Sequence, residues 1–462
     1  MTSKKEEAHR GTLGSPMIEW GIEPVPERLR VLGLGDTVLL WGNLAVSLLV
    51  IVAGALLVPA LSLKQALLAI VVASVVGCAM LGAAAAVGTD ARVPAMVLMR
   101  APLGQRGSYL ATALNVVQCL GWSVYELIII ASACAALSDR VFHFRAQWLW
   151  TLLFGGVAIV LALLGPIGFV RRYVRKFAVW FVLASLGYLT WWVVDKSDLT
   201  AFWHGEGKGG FPTFWQGVDL TLASVISWTP LAADYTRFTR TRRSSFWGTA
   251  FGYLVPVIWL YSLGVLLFLA RDISDPAQLP AAVVAGGVVS VLALLAVTVD
   301  ESDEAFANVY STAVSLQNVL PRFPQRLLIV SSAAIATAGA LILNLSDFAT
   351  FLFLLGSFFV PLLGVLLADW LVDGMHYTRE KVFDGPAVRP EMIGAWLVGF
   401  GLYQWLSPQG PAWWQRLMGH TDPAPIDFTA SLPSFAAAFL LAGAAAMLVR
   451  SRRTASEAFA DA

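Results

Sequence analysis

Four carboxylates sit inside an otherwise apolar stretch of the chain. Leu292 to Gln317 reads LALLAVTVDESDEAFANVYSTAVSLQ, with Asp300, Glu301, Asp303 and Glu304 near its middle. No Pro or Gly interrupts it, so the pattern predicts one continuous helix. In a bilayer each such charge costs about 2.5–3.5 kcal/mol at mid-depth on insertion scales. Groups kept at that cost point to an ion or substrate path rather than to packing. Asp300, Glu304, Asn308 and the pair Ser311/Thr312 fall on one helical face, flanked by Glu301 and Asp303. The chemistry expected of this face is ion coupling.

Three other apolar stretches carry unusual polarity near their middles. The first holds Trp41-Gly42-Asn43-Leu44-Ala45-Val46-Ser47, where Gly and Asn disturb a helix and expose carbonyls that can coordinate an ion. The next holds Asn115, Gln118, Gly121, Trp122 and Glu126. Gln118 and Trp122 are four residues apart and share a helical face, with Asn115 and Glu126 near the same stripe. The last holds Ser224, Ser227, Trp228, Thr229 and Pro230, and the proline frees a carbonyl one turn back. Tryptophans and amides together suit a flat heterocycle: the ring supplies area and orientation, the amides read donors and acceptors on its edge. With 18 tryptophans in the chain, Trp122 also fits core packing. Gln118 could bridge helices, and Glu126 could neutralise an arginine.

The elements that must position these residues are membrane spans. The chain is 58% hydrophobic and only 13% charged, far from the balance of a soluble domain. The net charge of +1 gives no field that would attract nucleic acid. A span needs about 20 apolar residues. Twelve candidates follow: Leu34–Ala60, Gln65–Gly88, Tyr109–Leu137, Gln147–Leu164, Phe177–Val194, Gly217–Tyr235, Phe246–Ala270, Ser290–Leu320, Leu327–Asn344, Phe348–Leu371, Met392–Leu406 and Pro433–Val449. Ala281–Val289 reads as a short loop helix. The fold class expected is all-α, a polytopic membrane protein with 12 transmembrane helices.

Of the 31 Lys and Arg residues, 24 fall on the tails and even-numbered connections and 7 on the other side, which places both termini in the cytoplasm. Residues 1–33 and 450–462 then form cytoplasmic tails, and 374–391 a cytoplasmic connection. The connection Asp195 to Gln216 contains HGEGKGGFP and reads as flexible. The first and sixth spans are disturbed, and the third and eighth are polar. Both pairs are five apart, which fits a five-plus-five inverted repeat in a core of residues 34–373, with halves near 34–195 and 217–371. Residues 392–449 supply two trailing spans. Cys78, Cys119 and Cys134 lie in apolar runs with no CxxC or Cys/His cluster, so neither a disulfide framework nor a zinc site is expected.

Several runs resemble one family. The connection from Arg92 to Gly107, RVPAMVLMRAPLGQRG, resembles a loop of the nucleobase:cation symporter family 1, the purine–cytosine permease and hydroxymethylpyrimidine permease group. It leads into Asn115-Val116-Val117-Gln118-Cys119-Leu120-Gly121-Trp122, similar to that family's third helix. Ala233-Asp234-Tyr235-Thr236-Arg237-Phe238 resembles its sixth-helix exit, and Asn308-Val309-Tyr310-Ser311-Thr312-Ala313 its eighth-helix pattern. The resemblance spans roughly Ile22 to Trp370. It implies a leucine-transporter-like fold with two C-terminal helices beyond the repeats, and a nucleobase, hydantoin or related pyrimidine as substrate, often taken up with sodium. It implies substrate contacts at Gln118, Trp122, Ser227, Trp228 and Asn308, and sodium-binding carbonyls near Gly42, Asn43 and Ala45. Where sodium-dependent members place small hydroxyl residues on the eighth helix, this chain has Asp303 and Glu304. These could bind Na+ or themselves carry H+, so the coupling ion stays open between the two.

The function expected is secondary active import of a nucleobase or related pyrimidine across a cell (plasma or inner) membrane, with no cofactor, no nucleic acid and no obligatory protein partner. An amino acid or other small zwitterion on the same fold is the alternative, against which Trp122 and Trp228 weigh. An enzyme is not expected: the five histidines, His9, His143, His204, His376 and His420, lie in tails or loops, and no nucleophile–base pair is apparent.

Overall fold

The computed structural model of the protein describes residues 21–164, 179–271, 273, 278–284, 288–410, 412–419 and 427–460. The described chain is helical apart from short connections and one isolated bridge between Leu32 and Thr239. The first half contains α1 (Leu34–Leu44), α2 (Leu48–Ala55), α3 (Leu63–Ala91), α4 (Ala95–Leu98), α5 (Arg100–Leu103), α6 (Ser108–Phe142), α7 (Gln147–Leu164), α8 (Val179–Lys196) and α9 (Leu199–His204). The second contains α10 (Phe214–Ile226), α11 (Thr229–Thr236), α12 (Arg242–Arg271), α13 (Leu279–Val284), α14 (Val288–Leu316), α15 (Gln325–Ile342) and α16 (Phe348–Val372). Then come α17 (Arg379–Phe383), α18 (Pro390–Leu406), α19 (Ala412–Gly419) and α20 (Ser431–Ala460).

Every expected span coincides with a helix or a helix pair. Among the described residues, α3, α6, α12, α15, α16 and the first part of α20 are each long and apolar enough to cross a membrane. The pair α1–α2 also passes, bent by 60° at its break. The bend follows from local chemistry. Gly42 and Asn43 are weak helix formers, and Ser47 adopts an extended backbone and caps α2 by accepting from Leu49 N at 3.0 Å. The sixth span divides between α10 and α11 because Pro230 has no N–H to give to the carbonyl of Ile226, four residues back. Thr229 Oγ1 donates to that carbonyl instead, at 2.8 Å.

The packing repeats itself when the first five spans are exchanged for the second five. α1 lies on α12 as α10 lies on α3, and α6 meets α15 as α14 meets α7. α7 packs on α6 as α15 packs on α14, while α3 and α12 form the centre. α20 closes the bundle against α16 and α18. Its first turn is fixed by buried Asp219 of α10, which accepts from Thr429 Oγ1, from Ala430 N at 2.8 Å and from Ser431 N at 3.1 Å. α2 and α12 cross so closely that a Cβ at Gly54 would strike the Tyr261 carbonyl, and one at Gly264 the carbonyl of Ile51.

Three stretches carry local structure that the sequence did not signal. The glycine-rich run of the 195–216 connection is not free: Lys208 N donates to Pro59 O at 2.8 Å and Gly209 N to Ala60 O at 3.0 Å. Residues from Ile22 to Gly33, expected in a tail, lie against the ends of α3 and α11, with Val25 N donating to Arg92 O at 2.9 Å and Leu32 N to Phe238 O at 3.1 Å. α20 continues to Ala460, through the segment expected as a C-terminal tail.

Candidate functional site

α6 and α14 are joined by a polar seam. Asn318 Nδ2 donates to Thr112 Oγ1 at 2.8 Å and to Ser108 Oγ at 3.1 Å. Asn115 Nδ2 donates to Ser315 Oγ at 2.8 Å, and Asn308 Nδ2 to Glu126 Oε1 at 2.8 Å. The α6 members recur at helical spacing, so one face of that helix meets one face of α14. In an apolar surrounding each paired group avoids the desolvation penalty of a bare donor or acceptor, which makes the seam a firm support.

The two broken spans lie across this support. At the first break, α2 begins inside the protein, and all eight of its residues are buried. Its first amides have no helical partner and need an acceptor from elsewhere in the protein. Glu301 of α14 supplies one: Oε2 accepts from Leu48 N at 2.6 Å, while Oε1 accepts from Ser47 Oγ at 2.9 Å. At the second break the freed carbonyls are taken locally and from α6. Ser227 Oγ donates to Ser224 O at 2.7 Å, and Gln118 Nε2 donates to Ser227 O at 2.7 Å and to Asn115 Oδ1 at 3.0 Å.

Between the breaks lies a cavity lined by Ser47 and Val50 of the first span, Trp122 and Glu126 of α6, and Ser224, Ser227, Trp228 and Leu231 of the sixth. Tyr253 of α12 and Asn308 of α14 complete it. Trp122 is held edge-on by Phe348 and Phe351, at centroid distances of 5.8 and 5.4 Å. Trp228 packs edge-on against Trp41 at 5.9 Å, and Tyr253 lies beside both. Glu126 is fully buried, and its Oε2 has no hydrogen-bond partner among the described residues. The cavity therefore offers aromatic surface with one carboxyl group on its wall.

The structure brings Trp122, Ser227, Trp228 and Asn308 to this one cavity. Gln118 stands behind it, holding the Ser227 carbonyl. Gly42, Asn43 and Ala45 end α1 at the first break, where the Asn43 carbonyl accepts from Val46 N at 3.0 Å. Asp300, Asp303 and Glu304 lie on the α14 backbone, but their side chains fall outside the described residues. No group of three or more His, Cys, Asp or Glu that could hold a metal ion occurs among the described residues. Ser47, Val50, Leu231 and Tyr253 join the cavity without having been singled out as contacts. Ser47 was signalled by its place in the break, whereas Val50, Leu231 and Tyr253 carry no mark that separates them from other apolar positions.

Two inverted five-helix repeats, two broken helices and a mid-span cavity define a multi-pass membrane transporter of the leucine-transporter fold. Residues 24–383 match the family described as permease for cytosine/purines, uracil, thiamine, allantoin, and the chain belongs to that family. The purine-cytosine permease fcyB of Emericella nidulans is 27% identical over 345 residues, 65% of this chain and 63% of that protein. The purine-cytosine permease FCY2 of Saccharomyces cerevisiae is 24% identical over 275 residues, 55% of this chain and 49% of that protein. The match thus spans between about half and two thirds of the length of these relatives. Among solved structures, Mhp1, a nucleobase-cation-symport-1 family transporter in a closed conformation with bromovinylhydantoin bound, has the same fold. The TM-score is 0.77 at 19% identity, covering 94% of this chain and 96% of that one.

Proposed function

We propose that the protein imports a nucleobase or a related pyrimidine by cation symport, through alternating access. The observation that carries this reading is the cavity where both broken spans meet Trp122, Trp228 and the Asn308–Glu126 pair. A planar base would lie against the indoles, which contribute stacking area. The unpaired oxygen of Glu126 would accept from an N–H on its edge, and a hydrogen-bonding wall of this kind discriminates strongly against ligands lacking the matching group. Asn308 would hold the carboxylate toward the base. Family membership supports a nucleobase-like cargo, as does the hydantoin bound by Mhp1.

Alternation would come from movement of one group of helices against the other around this site. The coupling cation, Na+ or H+, would stabilise the substrate-binding state, and by linkage the substrate would tighten its hold on the cation. Carbonyls near Gly42, Asn43 and Ala45, with Asp303 and Glu304, are the proposed cation ligands; in the proton case those carboxylates are the carriers. The membrane proposed is the plasma or inner membrane, with both termini cytoplasmic.

The test is uptake of labelled cytosine, hypoxanthine and hydroxymethylpyrimidine into proteoliposomes, under an inward sodium gradient or an inward proton gradient imposed separately. Accumulation of one base with one gradient is the expected result. Failure of every base under both gradients would overturn the reading, and a response to protons alone would remove the sodium site.

A further inference from the structure

Each helix break is held by one buried side chain from the other repeat. Glu301, on the eighth span, grips the first span, and Gln118, on the third span, grips the sixth. Third and eighth spans occupy matching places in the two repeats, as do first and sixth. The residue types differ because the gripped ends differ. The start of α2 presents a hydroxyl and a free amide and carries the positive end of a helix dipole, so a two-oxygen acceptor fits it. The end of α10 presents a carbonyl, so an amide donor fits there. Neither Glu301 nor Gln118 lines the cavity, yet the residues they hold, Ser47 and Ser227, both do.

We propose that Gln118 and Glu301 are a pair of positioning residues that fasten the two helix breaks to the α6–α14 support and thereby set where Ser47 and Ser227 stand in the cavity. The consequence for transport rests on the reading of that cavity as the substrate site; the fastening itself does not. Glu301 acts through Ser47 and Leu48, and Gln118 through the Ser227 carbonyl. Four neighbouring carboxylates on α14 thus include one whose role is to order backbone.

The experiment is hydrogen–deuterium exchange, read by mass spectrometry on the full-length protein in nanodiscs with no ligand added. Peptides covering the two breaks, near residues 44–52 and 223–231, are followed in the wild type, Glu301→Ala, Glu301→Gln, Ser47→Ala and Gln118→Leu. Glu301→Ala is expected to speed exchange at the first break at least tenfold and to leave the second unchanged, with Gln118→Leu giving the reverse. Glu301→Gln is expected to rescue, because its carbonyl can accept from Leu48 N while its NH2 donates to a rotated Ser47 hydroxyl. Adding Ser47→Ala to Glu301→Gln should then undo part of the rescue, a non-additive result. Exchange that is unchanged at both breaks, or raised equally along the whole chain, would overturn the proposal. If Glu301→Ala yields no folded protein, Glu301→Gln with and without Ser47→Ala decides the same question. Cytosine and hypoxanthine uptake by the same variants should show a raised KM with a smaller change in maximal rate. No uptake by the wild type would refute the substrate reading alone, with the exchange result still deciding the fastening.

Discussion

Replacing Asn308 by Ala tests the cavity wall most directly. Asn308 Nδ2 is the donor 2.8 Å from Glu126 Oε1, and Glu126 Oε2 has no partner among the described residues. The substitution leaves a fully buried carboxyl group with neither oxygen held. The hydrogen bond lost protects a buried acceptor, and leaving such a group unsatisfied costs about 1–3 kcal/mol. Losing it should therefore weaken base binding by roughly ten- to a hundredfold, at about 1.4 kcal/mol per factor of ten. The assay is equilibrium binding of labelled cytosine and hypoxanthine to purified protein, using whichever the wild type binds. Glu126→Gln and the double variant complete a cycle, in which contacting residues are expected to couple by about 0.5–3 kcal/mol. The swap Glu126→Gln with Asn308→Asp restores a donor–acceptor pair of opposite polarity, so it should recover thermal stability without recovering affinity. Wild-type affinity in Asn308→Ala, or a cycle with no coupling, would refute the idea that this pair presents the acceptor to substrate.

Three further outcomes follow from the same geometry. Trp122→Ala or Trp228→Ala should each cost about 1–3 kcal/mol of base binding if the indole stacks on the ring, with Trp122→Phe losing less; equal affinities for all three variants and the wild type would exclude stacking. Asp219→Ala removes the acceptor of three hydrogen bonds at the start of α20. It should destabilise by about 2–5 kcal/mol, seen as a lower melting temperature, and loosen α20 in proteolysis before the rest of the bundle. Outside the spans, burial and the neighbouring Asp369 carboxylate push the Tyr377 phenol well above its ordinary value, and its hydroxyl donates to Asp369 Oδ2 at 2.9 Å. A raised folded-state value means the contribution is complete below the ordinary phenol range and fades as pH climbs beyond about 10. Melting temperature should therefore fall with pH there, and Tyr377→Phe should flatten that slope.

How much of this was legible in the sequence depended on whether a single helix was enough to decide it. Span positions were, because apolar length is a property of one segment. Both breaks were as well: Gly42-Asn43 followed by Ser47, and Pro230 behind Ser227, are local chemistry. Depth within a shared face was not. Gln118 and Trp122 lie four apart on α6, but only Trp122 reaches the cavity while Gln118 meets the end of α10 one turn away, a difference set by where the sixth span divides. The buried loop between α3 and α6 was legible as a familiar motif. Its depth was not, since Asp234 of α11 accepts from Ala95 N at 2.8 Å and Arg100 donates to Asn318 Oδ1 at 2.7 Å, and both partners are distant in sequence.

The carboxylates of α14 show the same limit at its sharpest. Successive helical residues turn by about 100°, so the register of Glu301 lies off the face shared by positions 300, 304 and 308. Periodicity favoured the face continuing to Asn308 and left Glu301 at its edge. Yet the start of α2, a helix end inside the protein with unfilled amides, must find an acceptor, and it finds Glu301. The choice among four similar residues belongs to the helix that needs one of them, 253 residues earlier in the chain. If that reasoning holds, moving the carboxylate within the cluster should not compensate: Glu301→Ala with Ser302→Glu keeps the local charge but not the side of the helix. It should exchange at the first break as fast as Glu301→Ala alone, and slow exchange in that double variant would mean that local charge, not position, orders the break.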